Sequence, residues 1–228
     1  ALNNELYRAL LAAPYRAALE ERWGPQLFRL AELSLKTFDP AILEDLQEEN
    51  RLSSEYVKLK AGARIPFRGE EYNLSGIRKL EVDPDRATRR AAGEARWRFF
   101  RAQRERVEDL FDRLVRIRHR IARRLGYETF TELAYARLSR SDYGPEQVAA
   151  FRRQVARHLV PVVDRLYERQ RRRLGLEQLC YYDEEFRFRS GNPEPKGDPQ
   201  WIIKRAERMY RELSDETQAF FNFMRERH

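Results

Sequence analysis

Cysteine occurs once in 228 residues, methionine twice and histidine three times. The single thiol, Cys180, excludes an internal disulfide and fits a reducing cytosol. No base accompanies it in the local sequence, so it reads as a small, half-buried apolar side chain and not as a nucleophile. None of the histidines has another four residues on, which excludes the paired-imidazole metal site of a His-Glu-x-x-His helix. His119 falls off the apolar stripe of its helix and is expected to be exposed. His158 flanks an apolar face and is expected to pack with its hydrogen bonds satisfied. His228 is terminal. Lysine is scarce as well, so nearly all the positive charge is arginine.

Long apolar runs are missing. The longest aliphatic stretch lies around 159–163, and nothing in the chain is long enough to span a bilayer. No basic-then-apolar leader opens the sequence. It does not begin with Met, so Ala1 is expected to be a boundary set by processing or truncation. There is no Gly-x-Gly-x-x-Gly, no phosphate loop and no Gly-x-Ser-x-Gly elbow. Acid pairs such as Glu48-Glu49 and Glu184-Glu185 are common on helix surfaces and loops and mark no active site.

What is present describes a globular chain with a heavily charged surface: 42% hydrophobic and 36% charged residues. Its length suits one large domain or two small ones. The net charge of +8 raises nucleic acid as a partner. Arginine clusters at 116–124 and 169–173 carry that idea. Acids are interleaved with them, however, and both clusters fall at helix C-termini, where cations complement the helix dipole. A solvated helix surface is the reading this pattern favours.

Helical periodicity dominates. Leu6, Leu10, Ala13, Ala17 and Leu19 predict one helix over 3–22, stopped by Gly24-Pro25. A second runs over 26–38, and Asp39-Pro40 opens a third. The period then shortens: residues 63–74 alternate through Ile65 and Phe67, turn at Gly69 and return through Tyr72, a β-hairpin confined to an edge by Pro66. Asp83-Pro84 is expected to cap one very long helix, or two abutting ones, ending at Gly126. Thr129 and Glu132 form a capping box for the next helix. Pro145 starts another that reaches Leu174-Gly175, and Pro161 should kink it. Residues 180–198 read as an irregular loop, with short strands expected at 181–182 and 186–188. Asp198-Pro199 and Ser214 cap two final helices. The fold class is mainly α, a bundle of long helices with one short hairpin.

One residue breaks the pattern. Arg137 shares a helix face with Phe130, Leu133, Ala134 and Leu138. A guanidinium there needs acceptors, because an unpaired buried charge costs several kcal/mol. Asp142, Glu132 or carbonyls of a neighbouring helix are the candidates, which makes Arg137 a structural pin between helices.

Six segments together, residues 26–59, 65–75 ("IPFRGEEYNLS"), 114–155, 160–176, 181–199 and 209–224, resemble the oligoendopeptidase F-type zinc metallopeptidases, relatives of thimet oligopeptidase and neurolysin. They occur in family order and cover most of the chain. The resemblance implies a mainly helical enzyme with a deep channel that admits extended oligopeptides, and with it the other reading of Arg137, in which Tyr135, Arg137, Arg140 and Tyr143 face that channel and touch peptide backbone. It also implies one zinc held by the two histidines of His-Glu-x-x-His and a downstream glutamate, with the motif's own glutamate as general base. That motif is missing here. In the family it follows the segment matching 220–224, so no catalytic and no metal-binding residue carries over. The resemblance therefore implies that residues 1–228 form a channel-wall region incomplete at both ends, inactive alone and cytoplasmic. Its partners would be an oligopeptide substrate and the remainder of the same polypeptide, with no membrane. A stand-alone basic helical module binding nucleic acid or a protein is the alternative.

Overall fold

Proline makes the first correction to these expectations. The helix predicted over 3–22 is two helices, α1 (Leu2–Leu11) and α2 (Arg16–Trp23), separated by a turn at Pro14. The ring has no N–H for the preceding turn and disfavours helical backbone at the residue before it. The computed structural model describes residues 2–227; Ala1 and His228 lie outside the described residues. The chain forms two units, one running to Arg189 and the other from Ser190.

In the first unit, α3 (Gln26–Lys36) packs on α1 and buries Phe28 and Ala31. Asp39 accepts from the Ala41 N–H at 2.8 Å and opens a 3₁₀ turn, Pro40–Ile42, that leads into α4 (Leu43–Ala61). The hairpin pairs β1 (Ile65–Phe67) with β2 (Glu70–Tyr72), antiparallel, with Ile65 opposite Tyr72. Its two-residue turn holds Arg68 and Gly69 at φ 51° and 86°, the left-handed pair whose twist suits a tight hairpin. A short helix that apolar spacing does not announce follows, α5 (Leu74–Arg78), capped by Asn73.

Asp85, not Asp83, caps α6 (Arg86–Ala102) by accepting from the N–H groups of Ala87 and Thr88. Of the two expected arrangements, one long helix or two abutting ones, the second forms: α6 ends at Ala102 and α7 spans Arg104–Arg124. Gly126, at φ 83°, closes α7, with its N–H on the Arg123 carbonyl and the Tyr127 N–H on that of Ala122. This double bond to the last turn needs a left-handed residue, which glycine supplies at little cost. α8 (Phe130–Arg137) begins as expected at Thr129, but Glu132 reaches past Thr129 to the N–H of Glu128.

The rod predicted from Pro145 comprises α9 (Pro145–Gln154) and α10 (Val160–Leu174), joined by a π-helical turn at Val155–Leu159. There the Val160 N–H reaches back to the Val155 carbonyl. Pro161 follows directly, and the wider turn makes room for a ring that a regular α-turn would hit. The strands expected at 181–182 and 186–188 do not form. Residues Tyr181–Asp183 are a 3₁₀ turn, and side chains take the backbone bonds that strands would have made. In the second unit, Asp198 caps α11 (Pro199–Leu213) and Ser214 caps α12 (Asp215–Arg225), with Tyr210 stacked on Phe221 at 4.8 Å.

Two apolar clusters hold the first unit. Ile42, Leu52, Leu110, Ile117, Ile121, Ala122 and Leu133 join α4, α7 and α8. Ile65, Ile77, Ala92 and Ala95 join the hairpin, α5 and α6. Burial of each large aliphatic contributes about 1.5–3 kcal/mol.

Candidate functional site

α8 is only eight residues long and packs on both α7 and α3. It ends at the stretch 138–144, which leads to Pro145 and α9. The four residues singled out on this segment separate into two settings.

Arg137 meets none of its expected partners, Asp142, Glu132 or a carbonyl of a neighbouring helix. Its Nη1 donates to Glu49 Oε2 at 3.0 Å, and its guanidinium stands 5.9 Å from the Phe130 ring centroid. Glu49 also accepts from Arg118 Nε at 2.7 Å, so one carboxylate on α4 fastens α7 and α8 together. Glu49 is buried, where the sequence suggested a surface acid pair. Arg137 Nη2 is buried with no hydrogen-bond partner.

Tyr135, Arg140 and Tyr143 come together. The Arg140 N–H donates to the Tyr135 carbonyl at 3.1 Å, folding the chain back over the helix end. The Arg140 guanidinium then stands 4.4 Å from the Tyr135 ring centroid and 5.6 Å from that of Tyr143, and the two rings meet edge to face at 6.5 Å. A cleft of 470 Å³ opens beside them, lined by Arg140, Tyr143, Gln147, Val148 and Phe151. Gln147 Oε1 accepts from the Gly144 N–H at 3.0 Å, which orders the cleft's rim.

Among the described residues, no group of three or more His, Cys, Asp or Glu side chains is gathered as a metal site requires. These residues do not fit the zinc that the resemblance implies for the whole enzyme. His119 is exposed, as expected. His158 is also exposed, within the π turn, and not the packing residue expected.

Comparison with known proteins agrees with this architecture. The profile described as Peptidase family M3 matches residues 80–194, and that described as Peptidase M3 N-terminal domain matches 1–38. The chain belongs to peptidase family M3. This M3 chain is 52% identical to a solved structure of an oligoendopeptidase F, with a TM-score of 0.92 over 99% of the chain. It is similar to the same degree, 52% with a TM-score of 0.92, to PZ peptidase A solved with an inhibitor. An oligoendopeptidase F from Bacillus anthracis str. Ames shows 47% identity and a TM-score of 0.88. The M3 chain spans about 40% of the length of these structures. No curated protein matches it significantly.

The arginine cluster of α7 is engaged in ion pairs. Arg113 meets Glu48, Arg116 meets Asp112, and Arg120 and Arg124 meet the buried Asp45. A further buried carboxylate, Asp183, was not singled out from the sequence. Asp183 is fully enclosed and accepts from Arg86 Nη2 at 2.8 Å, Arg89 Nη2 at 3.0 Å and the Cys180 N–H at 3.1 Å. Burial pushes its carboxyl up, but the hydrogen bonds from Arg86 and Arg89 outweigh this and leave it below the usual carboxylate range. Gln170, buried on α10, donates to the carbonyls of Asp183, Glu184 and Phe186. Gly93 admits the turn: a Cβ there would come within 3.2 Å of the Tyr181 ring. A lone Asp within a loop carries no spacing signal, so only the fold discloses this latch.

Proposed function

We propose that this chain supplies scaffold and substrate-channel wall to a zinc-dependent endopeptidase that cleaves oligopeptides in the cytoplasm. The metal and the reacting groups lie on polypeptide beyond these residues. The carrying observation is the 52% identity to oligoendopeptidase F, at a TM-score of 0.92, over a chain that spans 40% of that structure. Among the described residues no helix is long and apolar enough to cross a membrane. In this reading Arg137 is the pin between α4, α7 and α8, while Tyr135, Arg140 and Tyr143 face the peptide. The rival reading, a basic module for nucleic acid, has less support because the α7 arginines are tied to carboxylates.

The test joins this chain to the remaining portion of a relative. A chimera in which it replaces the matching 40% of an oligoendopeptidase F should hydrolyse a fluorogenic oligopeptide with zinc present. The chain alone, given stoichiometric zinc, should not. Chelator-sensitive turnover by the chain alone would refute the placement of the chemistry, and a well-folded chimera without turnover would refute the family function for this chain.

A further inference from the structure

We propose that Arg140 is a carboxylate-binding residue that anchors a peptide by its free C-terminus or an acidic side chain, with the neighbouring residue lying along the Val148–Phe151 wall of the cleft. The inference deepens the oligopeptide reading and rests on it.

Four arginines near α8 have carboxylate partners: Arg118 and Arg137 hold Glu49, and Arg120 and Arg124 hold Asp45. Arg140 is half-buried, yet among the described residues no carboxylate or carbonyl accepts from its guanidinium. Its contacts are to the Tyr135 and Tyr143 rings, 4.4 and 5.6 Å from their centroids. An aromatic face attracts the flat side of a guanidinium and leaves the in-plane N–H fork available. A fork so held has lost its rotamer freedom before any ligand arrives, and its geometry matches the two oxygens of a carboxylate.

The surroundings also suit a peptide. The cleft of 470 Å³ lies within the range of small-ligand sites, about 300–1,000 Å³. Val148 and Phe151 offer an apolar wall one helical turn apart on α9. Gln147 spends its carbonyl oxygen on the Gly144 N–H, and its amide NH2 has no acceptor among the described residues, so it can donate to a peptide carbonyl. Together these give one cationic anchor, one polar donor and one apolar surface.

Binding to the 228-residue chain is the direct measurement, followed through the side-chain Nε–H resonance of Arg140 and a fluorescence isotherm. Three N-acetylated pentapeptides serve as probes: one with a free C-terminus, its C-terminal amide, and an amide carrying one Glu in place of Gln. A charge-assisted bidentate pair predicts at least about tenfold tighter binding of the carboxylate form over its neutral counterpart. Preference for the free acid over the amide assigns the C-terminus; preference for the Glu-amide over the Gln-amide assigns the side chain. Arg140→Gln should abolish either preference, and Arg140→Lys should keep only part of it. Tyr143→Leu, which removes half the platform, should reduce it while far-UV dichroism stays unchanged. Equal affinity for all three peptides, no binding at all, or a preference that survives Arg140→Gln would overturn the proposal. The readout is binding, so a chimera that fails to hydrolyse peptide refutes the peptidase reading without touching this result, and a chimera that hydrolyses peptide does not rescue an Arg140 that ignores carboxylates.

Discussion

α7 and the α9–α10 rod are built from similar sequence and end in opposite situations. Both carry an apolar stripe at helical spacing and a dense opposite face of arginines and acids. On α7 the stripe is sealed: Leu110, Ile117 and Ile121 are buried against α4 and α8. Along the rod the stripe lies open. Phe151 is 67% exposed, Leu159 54% and Leu166 53%, and only at its far end are Gln170 and Leu174 enclosed. The carboxylates follow the same division. Those facing α7 from α4, Asp45 and Glu49, are buried, whereas Glu168 on the rod pairs with Arg171 and Arg172 at the surface. An amphipathic stripe therefore states that a helix has a face to cover, but not which segment covers it.

The largest effect should come from the one carboxylate that seals the rod's end. Replacing Asp183 with Ala leaves Arg89 enclosed without its counter-charge, and breaking such a pair costs about 3–5 kcal/mol. Urea unfolding of the first unit should show this loss. The pH dependence gives a second reading. The folded carboxyl titrates below its unfolded value of about 4, so its contribution is complete above that pH and is lost as pH falls through the folded value. Asp183→Asn should flatten this acid limb of the stability curve. An unchanged limb would show that the loop is held by its apolar contacts instead.

Next in size is the comparison itself. Ile121→Ala, in the sealed stripe, should cost about 2–5 kcal/mol. Leu166→Ala, in the open stripe, should stay within about 0.5 kcal/mol, as surface substitutions do. Similar losses at the two positions would mean that the rod's face is covered in solution, for example by a second copy, and ultracentrifugation would then show association.

Legibility in the sequence divides along the same line. Local chemistry could be read: Asp39, Thr129, Asp198 and Ser214 cap helices, Gly126 closes α7, and the hairpin forms around Arg68-Gly69. Errors arose where two local signals competed. Apolar spacing concealed the break at Pro14, and Asp83-Pro84 drew the cap away from Asp85, two residues on. Alternating aromatics at 186–188 suggested a strand, but the Gln170 side chain takes the Phe186 carbonyl and the Phe186 N–H donates to the Asp183 carbonyl. Long-range pairing stayed hidden. Arg137 announced that it needed an acid, yet its partner lies 88 residues away on α4, and nothing in a single sequence links the two. Of the candidate site, the residue types were visible, whereas the separation of Arg137 from the Tyr135–Arg140–Tyr143 cluster was not.

Arg137 gives the smaller and finer test. Its Nη1 serves Glu49 while its Nη2 is buried with no acceptor, so the guanidinium gains one bond and carries one unsatisfied donor. Arg137→Ala loses the bond and leaves a void beside Phe130. Arg137→Met loses the same bond but fills the volume and removes the unsatisfied donor, and Glu49 keeps Arg118 at 2.7 Å. Met should therefore be the milder change, by about 1 kcal/mol or more in paired melts. If both variants are equally severe, the pin works through charge and not through packing, and Glu49→Gln should then reproduce the loss.

The smallest effect is expected on the rod's exposed face. Glu168 accepts from Arg171 and Arg172, both at 2.7 Å, and the hydrogen bond from Arg171, followed by that from Arg172, lowers its carboxyl to about 2. Yet all three side chains remain open to solvent, which screens the attraction and leaves the arginines hydrated when the carboxylate goes. Arg171 also donates to the carbonyls of Leu176 and Glu177, so it keeps its place at the helix end without Glu168. Glu168→Gln should melt indistinguishably from the parent chain in physiological salt. A clear loss, erased by raising the salt, would show that the rod depends on its surface charges where α7 depends on buried ones.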